Sequence, residues 1–582
     1  LALVSCATAG CGGGSSPEDG GPRDSACSVC TPSADGSQPL GGDLGDAPDG
    51  GMNVGPCSGT SLSSLTVTPT TVSFGSDTVG EGTTRSLITV VNTSADAFAI
   101  SSVGLSGANA ADFSQENDCP ASLPAGDKCY LRVAFKPSAV GSRTASTAIN
   151  GSCANTLSGT GVALAAGFYV SPTGSDSNDG SLASPFLTLT KAQSAMQASS
   201  GAKLTTYVRA GTYQPASIAS CGCALNLANK DNGETWSYYP PDGVDSAIID
   251  GQSTAAGNGV GALISVAGST NVTINGLTLR NFDAAGVSGV NSTKITTKNC
   301  IIYNGFQTAQ YGAQGVTCGQ TCTSWSVLNN VMHDITGGGA NIVSATSGDV
   351  SNLIYSGNVV YNTCTSPDDG GDCGALYTQD NTAKSTNITI TGNFVRDGNP
   401  WRGMNAGSAI YLDDCLSNAT VSGNVMTGTN GANTSFIHGG QHDVYIGNIY
   451  DLGTYGQHIS VWQTSANTNC NVMAGNKYSG NIIIGKGGIA GYSDLSYPHT
   501  VTPTVSGNLY YDYAGGTITN SPEANAIKAD PKLSACFQLA SDSVAYQTPL
   551  SFSPLLKDWG PPGYVLPGGA TEPPSYPSST CY

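Results

Sequence analysis

The sequence predicts an all-β chain, a small β-sandwich followed by a long parallel β-helix. Two observations carry this reading. Between residues 61 and 165, short alternating strands are separated by Gly, Pro and Asn turns, as in "SLTVTPTTVSFGSDTVGEGTTRSLITVVNTS" and "CYLRVAFKPSAVGSRTASTAI". That spacing belongs to a sandwich. From "NVTINGLTL" to "TVSGNLYYD", an alternating apolar strand, a small residue, an Asn and a second short strand then recur. Counted from Asn299, the equivalent asparagines are Asn330, Asn358, Asn393, Asn424, Asn448, Asn476 and Asn508, at separations of 31, 28, 35, 31, 24, 28 and 32 residues. Such a period suits one three-strand coil per repeat with loops of variable length, whereas a propeller blade needs a longer and more regular one. Stacked coils set these asparagines one above another, where side-chain amides can satisfy main-chain groups at the bend.

Composition agrees. Gly makes up 77 of 582 residues and only 10% are charged, a turn-rich β composition rather than that of a helical bundle. Asp and Glu total 40 against 21 Lys and Arg, a formal charge of -19 that argues against nucleic acid and anionic membranes as general partners. The first residues, "LALVSCATAGCGGGSS", look like the tail of a secretory signal with a lipoprotein-type cleavage site at Cys6 or Cys11. Residues 1–11 are therefore read as a signal remnant, and the Gly-, Ser-, Pro- and Asp-rich residues 12–60 as a flexible stalk. Together they predict an extracellular or cell-surface bacterial lipoprotein, a monomer held to a membrane only through its lipid. Nineteen cysteines in an exported chain favour disulfides, with Cys119–Cys129, Cys318–Cys322 and Cys364–Cys373 close enough in sequence to pair.

Residues 61–165, with a closing "F-x-P…G" strand pair and a final "L-S-G-T-G", resemble immunoglobulin-like modules of bacterial surface proteins, and that resemblance implies a spacer. The next segment, "GFYVSPTGSDSNDGSLASPFLTLTKAQSAMQASSGAKLTTYVRAGTY", supplies a strand, a polar turn, an amphipathic helix over 189–198 and another strand. A helix there can cap the end of a stacked core. This stretch resembles the opening of extracellular right-handed parallel β-helix proteins of the pectate-lyase-like type, which implies one single-stranded β-helix over 166–560, with 561–582 a tail.

Chemistry concentrates in consecutive coils. "TSPDDGGDCGALYTQD" carries Asp368, Asp369, Asp372 and Asp380, and "GSAIYLDD" carries Asp413 and Asp414. Both contain "G-[SA]-[LI]-Y-[TL]-x-D", so Tyr377 and Tyr411 should be neighbours in the stack of coils and Asp380 should lie near Asp414 or Asp413. The following coils add His438, His442 and Asp443 in "SFIHGGQHDVYIGN", then His458 and Trp462 in "YGQHISVWQ". Between residues 240 and 520 there is not one Glu, so acid–base work on a glycosidic bond falls to Asp. Asp413 and Asp414 should point to opposite sides of their strand, leaving one to face the groove. The pairing expected is Asp372 or Asp369 against Asp414 or Asp413, with His438 orienting a carboxylate or donating to a sugar hydroxyl. Tyr377, Asp380, Arg402, Tyr411, His442, Asp443, His458 and Trp462 are expected to bind substrate. Trp236, Tyr238, Tyr239 and Trp401 are further aromatic residues suited to sugar faces or to rim packing.

The coils from 365 to 450, with "GALYTQD", "GSAIYLDD" and "FIHGGQHD", resemble those of β-helix carbohydrate-active proteins that include glycoside hydrolases. "YGQHISV" distantly resembles the histidine motif of polygalacturonases, whose paired-aspartate and basic motifs are not matched in order. The resemblance implies a polysaccharide or oligosaccharide substrate and, first, glycoside hydrolysis with no required cofactor. Polysaccharide elimination or C5 epimerisation of a uronate is the alternative; Ca²⁺ on the clustered aspartates, or Arg396, Arg402, Lys477 or His438, would serve it. A surface glycan-binding protein without catalysis is the third reading.

Overall fold

Parallel hydrogen bonding from coil to coil dominates the architecture. The structure, a computed structural model, describes Met52, Asn53, Cys57 and residues 62–562 apart from short segments, the longest being 397–407, 463–472 and 495–502. The expected lipoprotein remnant, most of the expected stalk and the end of the tail lie outside the described residues.

From Phe168 onward the chain winds as a right-handed parallel β-helix, the hand expected of parallel crossovers. Each full coil contributes two strands to a 21-stranded parallel surface and a third to a 12-stranded parallel sheet. Alternation along each strand sends one set of side chains inward, and registry stacks them by kind. Val327, Tyr355, Ile390, Val421, Tyr445 and Tyr478 form one inward column. Met332, Val360, Val395, Met426, Tyr450, Ile483 and Tyr510 form another. All thirteen belong to one continuous buried core.

The asparagine ladder is real, but its membership differs from the sequence count at two positions. Asn330, Asn358, Asn393, Asn424, Asn448, Asn481 and Asn508 are buried, and the Oδ1 of each from Asn358 onward accepts from both the main-chain N–H and the Nδ2 of the asparagine one coil earlier. At the start of the ladder Asn330 Oδ1 takes the N–H of Cys300, not of Asn299. Asn299 sits one position earlier at φ 56°, the left-handed slot that Gly357, Gly392, Gly423, Gly447, Gly480 and Gly507 fill in later coils. Asn tolerates that conformation as few other side chains do. Asn476 likewise lies off the ladder, at another corner, accepting from the N–H of Asp443. That coil carries two Gly-Asn pairs, Gly475–Asn476 and Gly480–Asn481, and only the second lies on the ladder.

The helix Leu189–Ala198 closes the first coil as expected, burying Ala192 and Met196. Thr188 accepts from Lys191 N–H at 3.1 Å as its N-cap, and Asp176 accepts from Thr188 N–H and Oγ1. Below this cap Trp236 is fully buried and Tyr238 nearly so, which removes both from the expected sugar-stacking set; Tyr239 is half-buried, edge-on to Tyr207 and under the Arg209 guanidinium. Buried Glu234 accepts from Trp236 Nε1 at 3.0 Å and lies beside Asp231, whose carboxylate takes Gln197 Nε2 and Ala228 N–H. Burial, with the Asp231 charge adding to it and the indole N–H opposing it, pushes the Glu234 carboxyl up to about 8 from 4.5. In the pH range between those values the folded chain holds a proton that the unfolded chain has lost. The stability contributed by neutral Glu234 is therefore full below pH 4.5 and falls as the pH rises to about 8. Glu234→Gln, neutral throughout, should flatten that decline; equal losses of melting temperature in both proteins between about pH 5 and about pH 8 would contradict this.

The N-terminal sandwich packs a four-stranded sheet against a five-stranded one around Ile88, Val90, Leu131, Val133, Phe135 and Leu157. The three expected disulfides are present, together with Cys57–Cys153; Cys223 and Cys415 are also disulfide-bonded, and Cys300 is free and buried. The module does more than space. Glu81 accepts from Asn275 Nδ2 at 2.9 Å, buried Arg132 donates to Leu555 O at 2.7 Å, and Tyr130 packs on Tyr546 with Lys128 over that ring. Tyr546 and Leu555 belong to a C-terminal strap that covers the outer side of the 12-stranded sheet through Phe537, Leu550, Phe552 and Trp559. Gly560 N–H donates to Gly357 O at 2.7 Å, and Trp559 packs on Phe394. The strap thereby ties the late coils, the middle coils and the sandwich together.

Candidate active site

Three neighbouring strands of the 21-stranded surface build the site, namely Gly374–Asp380, Ser408–Asp414 and Ser435–His438. Leu376, Ile410, Leu412 and Ile437 point into the core, so alternation sends Tyr377, Gln379, Tyr411, Asp413, Phe436 and His438 outward. Tyr377 is registered with Tyr411 and Tyr411 with Phe436, and Gln379 with Asp413. The tyrosine rings meet edge to face at 5.0 Å, as the repeated "G-[SA]-[LI]-Y" predicts. His438 comes one residue past the last registered pair, Leu412 with Ile437, which lines it up with Asp413.

Alternation fails at Asp414. Its backbone is left-handed, φ 52°, and the turn returns its side chain to the outer face, where Gln379 Nε2 donates to Oδ2. The two carboxylates therefore lie on one side of the sheet, contrary to the expectation of opposite sides, and ligand atoms of Asp413, Asp414 and His438 come within 4.8 Å of one another.

Asp413 is committed to its neighbours. Its Oδ1 lies 2.6 Å from His438 Nδ1 and accepts from Asp414 N–H at 2.8 Å, while Oδ2 accepts from the Tyr377 hydroxyl. Only 3% of the residue is exposed, whereas the His438 side chain is 17% exposed. A carboxylate on Nδ1 fixes the tautomer that keeps the proton there and leaves Nε2 basic. Tyr411 contributes its hydroxyl 3.4 Å from the same ring. Burial pushes the half-buried Asp414 carboxyl above the ordinary range, the Asp413 charge adds to this, and Gln379 and His438 partly oppose it. The group thus combines a carboxyl biased toward its acid form with an oriented imidazole. Two carboxylates and an imidazole nitrogen also make a donor set closer to a transition-metal site than to the all-oxygen shell of Ca²⁺.

Other expected site residues have different places. Asp380 is registered with Asp414 but fully buried, its carboxylate taking the N–H groups of Thr382, Lys384 and Ser385 and the hydroxyls of Ser344 and Thr382. Its bonds shape a bend, and its burial turns it away from the outer face. Asp443 is fully buried as well, accepting from Ala419 N–H at 2.9 Å, and burial holds its carboxyl well above the usual range. Tyr377 and Tyr411, almost fully buried with Phe436, support Asp413 and His438 rather than offering open faces to a sugar. His442 is exposed at a left-handed bend, its N–H donating to Ala474 O. Arg396 lies on the 12-stranded sheet, buried. Trp462 pairs by backbone with His438, but its side chain, like Asp368, Asp369, Asp372, Trp401, Arg402 and His458, lies outside the described residues. Gln379 was missed. Aligning "YTQD" with "YLDD" places it opposite Asp413 and was the available signal.

Residues 60–157 match the ASH family (abnormal spindle-like microcephaly-associated, ASPM–SPD-2–Hydin). The N-terminal sandwich is similar to ASH modules. The contacts described above join the ASH-like module to the early coils and the C-terminal strap, away from the strands that carry Asp413 and His438. No curated protein matches the chain. Solved structures similar to it include the Azotobacter vinelandii mannuronan C-5 epimerase AlgE4 A-module, at 14% identity over 58% of this chain and 94% of that one, with a TM-score of 0.36. The catalytic domain of a GH87 alpha-1,3-glucanase in complex with tetrasaccharides shares 13% identity over 74% and 90% of the two chains, TM-score 0.34. Pectate lyase Pel9A shares 14% over 68% and 86%, TM-score 0.37.

Proposed function

We propose that the protein is an extracellular carbohydrate-active enzyme that hydrolyses a neutral glycan by general acid–base catalysis. One observation carries this reading, the raised Asp414 carboxyl beside an imidazole held by Asp413. Asp414 gives its proton to the departing glycosidic oxygen, and His438 takes one from the attacking water through Nε2. Asp413, itself held by the Tyr377 hydroxyl, holds the imidazole, and Gln379 holds one oxygen of Asp414, leaving the other for the proton. Charge favours a neutral substrate, since the cluster holds two carboxylates and the chain carries a net -19, which repels polyuronates. The disulfides suit an oxidising compartment, and the lipid anchor at Cys6 or Cys11 remains part of this proposal.

Elimination is the second reading, because acid and base on one face also suit removal of a proton and a leaving oxygen from the same side of a uronate. Products decide between them. Incubation with neutral and uronate-containing polysaccharides, with and without a chelator, should release reducing ends without unsaturated uronate and independently of the chelator. Unsaturated product would replace hydrolysis by elimination, and glycan binding without any product would replace both by an adhesin.

A further inference from the structure

Four consecutive third strands, Gly211–Tyr213, Ala247–Asp250, Thr278–Phe282 and Ile301–Gly305, end at the same corner of the helix. Beyond their ends lies an open cleft of about 470 Å³ lined by Gln214, Asp250, Gln252, Thr254, Asn281 and Phe306, among others. None of these residues belongs to the site around His438. Asp250 forms the frame. It accepts from Gln252 N–H and Asn281 Nδ2, each at 2.9 Å, and pairs with Arg280 Nε at 3.0 Å. Gln252 is left-handed at φ 62°, an uncommon state for a residue with a long side chain, and the bond to Asp250 holds it there.

The lining selects a ligand class. Its carboxylate is already neutralised by Arg280, so a charged ligand finds no counter-ion there. Gln214, Gln252 and Thr254 are exposed, and their side chains hydrogen-bond to no described residue, which leaves amide and hydroxyl donors and acceptors free. Half-buried Phe306 adds an apolar aromatic surface. Neutral donor–acceptor groups around one aromatic ring fit the hydroxyls and the C–H face of a sugar, and an open, shallow cleft suits a segment of a longer chain. We propose that this cleft is a second glycan-binding site, specific for neutral saccharide and separate from the catalytic cluster. The class of ligand rests on the carbohydrate-active reading above. From Thr278–Phe282 the third strands step through Ile301–Gly305, Val331–Ile335, Val359–Tyr361 and Phe394–Arg396 to Val425–Thr427, the coil of Asp414. Five steps at the inter-strand spacing put the two places about 24 Å apart along the axis. They are also offset across the face by the length of a first strand, since the cluster lies where Gly374–Asp380 and Ser408–Asp414 end, so a polymer crossing that face diagonally reaches both and a short oligosaccharide only one.

The test uses the full chain carrying Asp414→Asn, titrated with dextran, xylan and laminarin. That protein should bind at least one of them, and adding Phe306→Ala with Gln252→Gly should weaken the binding by about tenfold while leaving the melting temperature within a few degrees. Unchanged affinity in the triple variant, or no binding of any of the three by Asp414→Asn, would overturn the cleft assignment. Absence of turnover by the unmodified chain on every glycan, together with binding that depends on Phe306 and Gln252, would overturn the catalytic reading and leave the cleft standing.

Discussion

Asp413→Asn should lower turnover by roughly three to four orders of magnitude with little change in the melting temperature, because the substitution keeps the shape of the site but reverses the hydrogen-bond polarity of one oxygen. Asp413 accepts three donors, from Tyr377, Asp414 N–H and His438. An amide has one oxygen for them, and its NH₂ then faces either the tyrosine hydroxyl or the imidazole. The ring is free to move its proton to Nε2, and the base is lost. Asp414→Asn should cost about two to four orders of magnitude by another route, removal of the proton donor. The two differ in pH dependence. Asp414 must be protonated to act, and its acid form persists above the ordinary carboxylate range, so activity of the unmodified enzyme should fall as the pH rises through that raised value. This falling limb should vanish from the residual activity of Asp414→Asn and persist in Asp413→Asn. A limb present in both would assign the acid to another residue, and full activity in both would remove the cluster from catalysis.

Much of this site was legible because β-helix registry converts sequence repetition into spatial adjacency. "GALYTQD" over "GSAIYLDD" over "FIH" is at once an alignment and a map of neighbours, which is why the Tyr377–Tyr411 contact and the proximity of His438 to Asp413 follow from the sequence. What registry does not carry is local backbone hand. The left-handed Asp414 overrides strand alternation; Asp is a residue type that takes this conformation, but its neighbour Asp413 is the same residue and does not, so residue type leaves open which of the two turns. Nor does it separate a carboxylate that faces the groove from one that folds a turn. Asp380 matches Asp414 in register, but the donors that claim it come from the bend just after it, "NTAKS". The docking of the ASH-like module was hidden for another reason. Arg132 and Leu555 are 423 residues apart, and nothing periodic connects them.

The ladder supplies the largest expected loss of stability, and it separates the true register from the apparent one. Asn424 Nδ2 donates to Ile390 O and to Asn448 Oδ1, and its Oδ1 accepts from the N–H and Nδ2 of Asn393, all in a site with no exposure. Asn424→Ala strands two buried main-chain groups, the Asn393 N–H and the Ile390 carbonyl, at about 1–3 kcal/mol each, with a cavity in addition. A loss of about 3–5 kcal/mol follows, read from chemical denaturation. Because each coil rests on its neighbours, the amide of Asn393 should also lose protection from hydrogen exchange before those of distant coils. Asn299→Gly is the control. That residue occupies the left-handed slot beside the ladder, with one side-chain bond to Asn275 Oδ1, and glycine takes the same backbone conformation freely, so the cost should stay below about 1 kcal/mol. From the sequence alone the two asparagines are equivalent members of one repeat. Equal destabilisation by the two substitutions would place Asn299 back in the ladder and remove Cys300 from it, while a large difference fixes the bend at Cys300, where Asn330 meets the main chain.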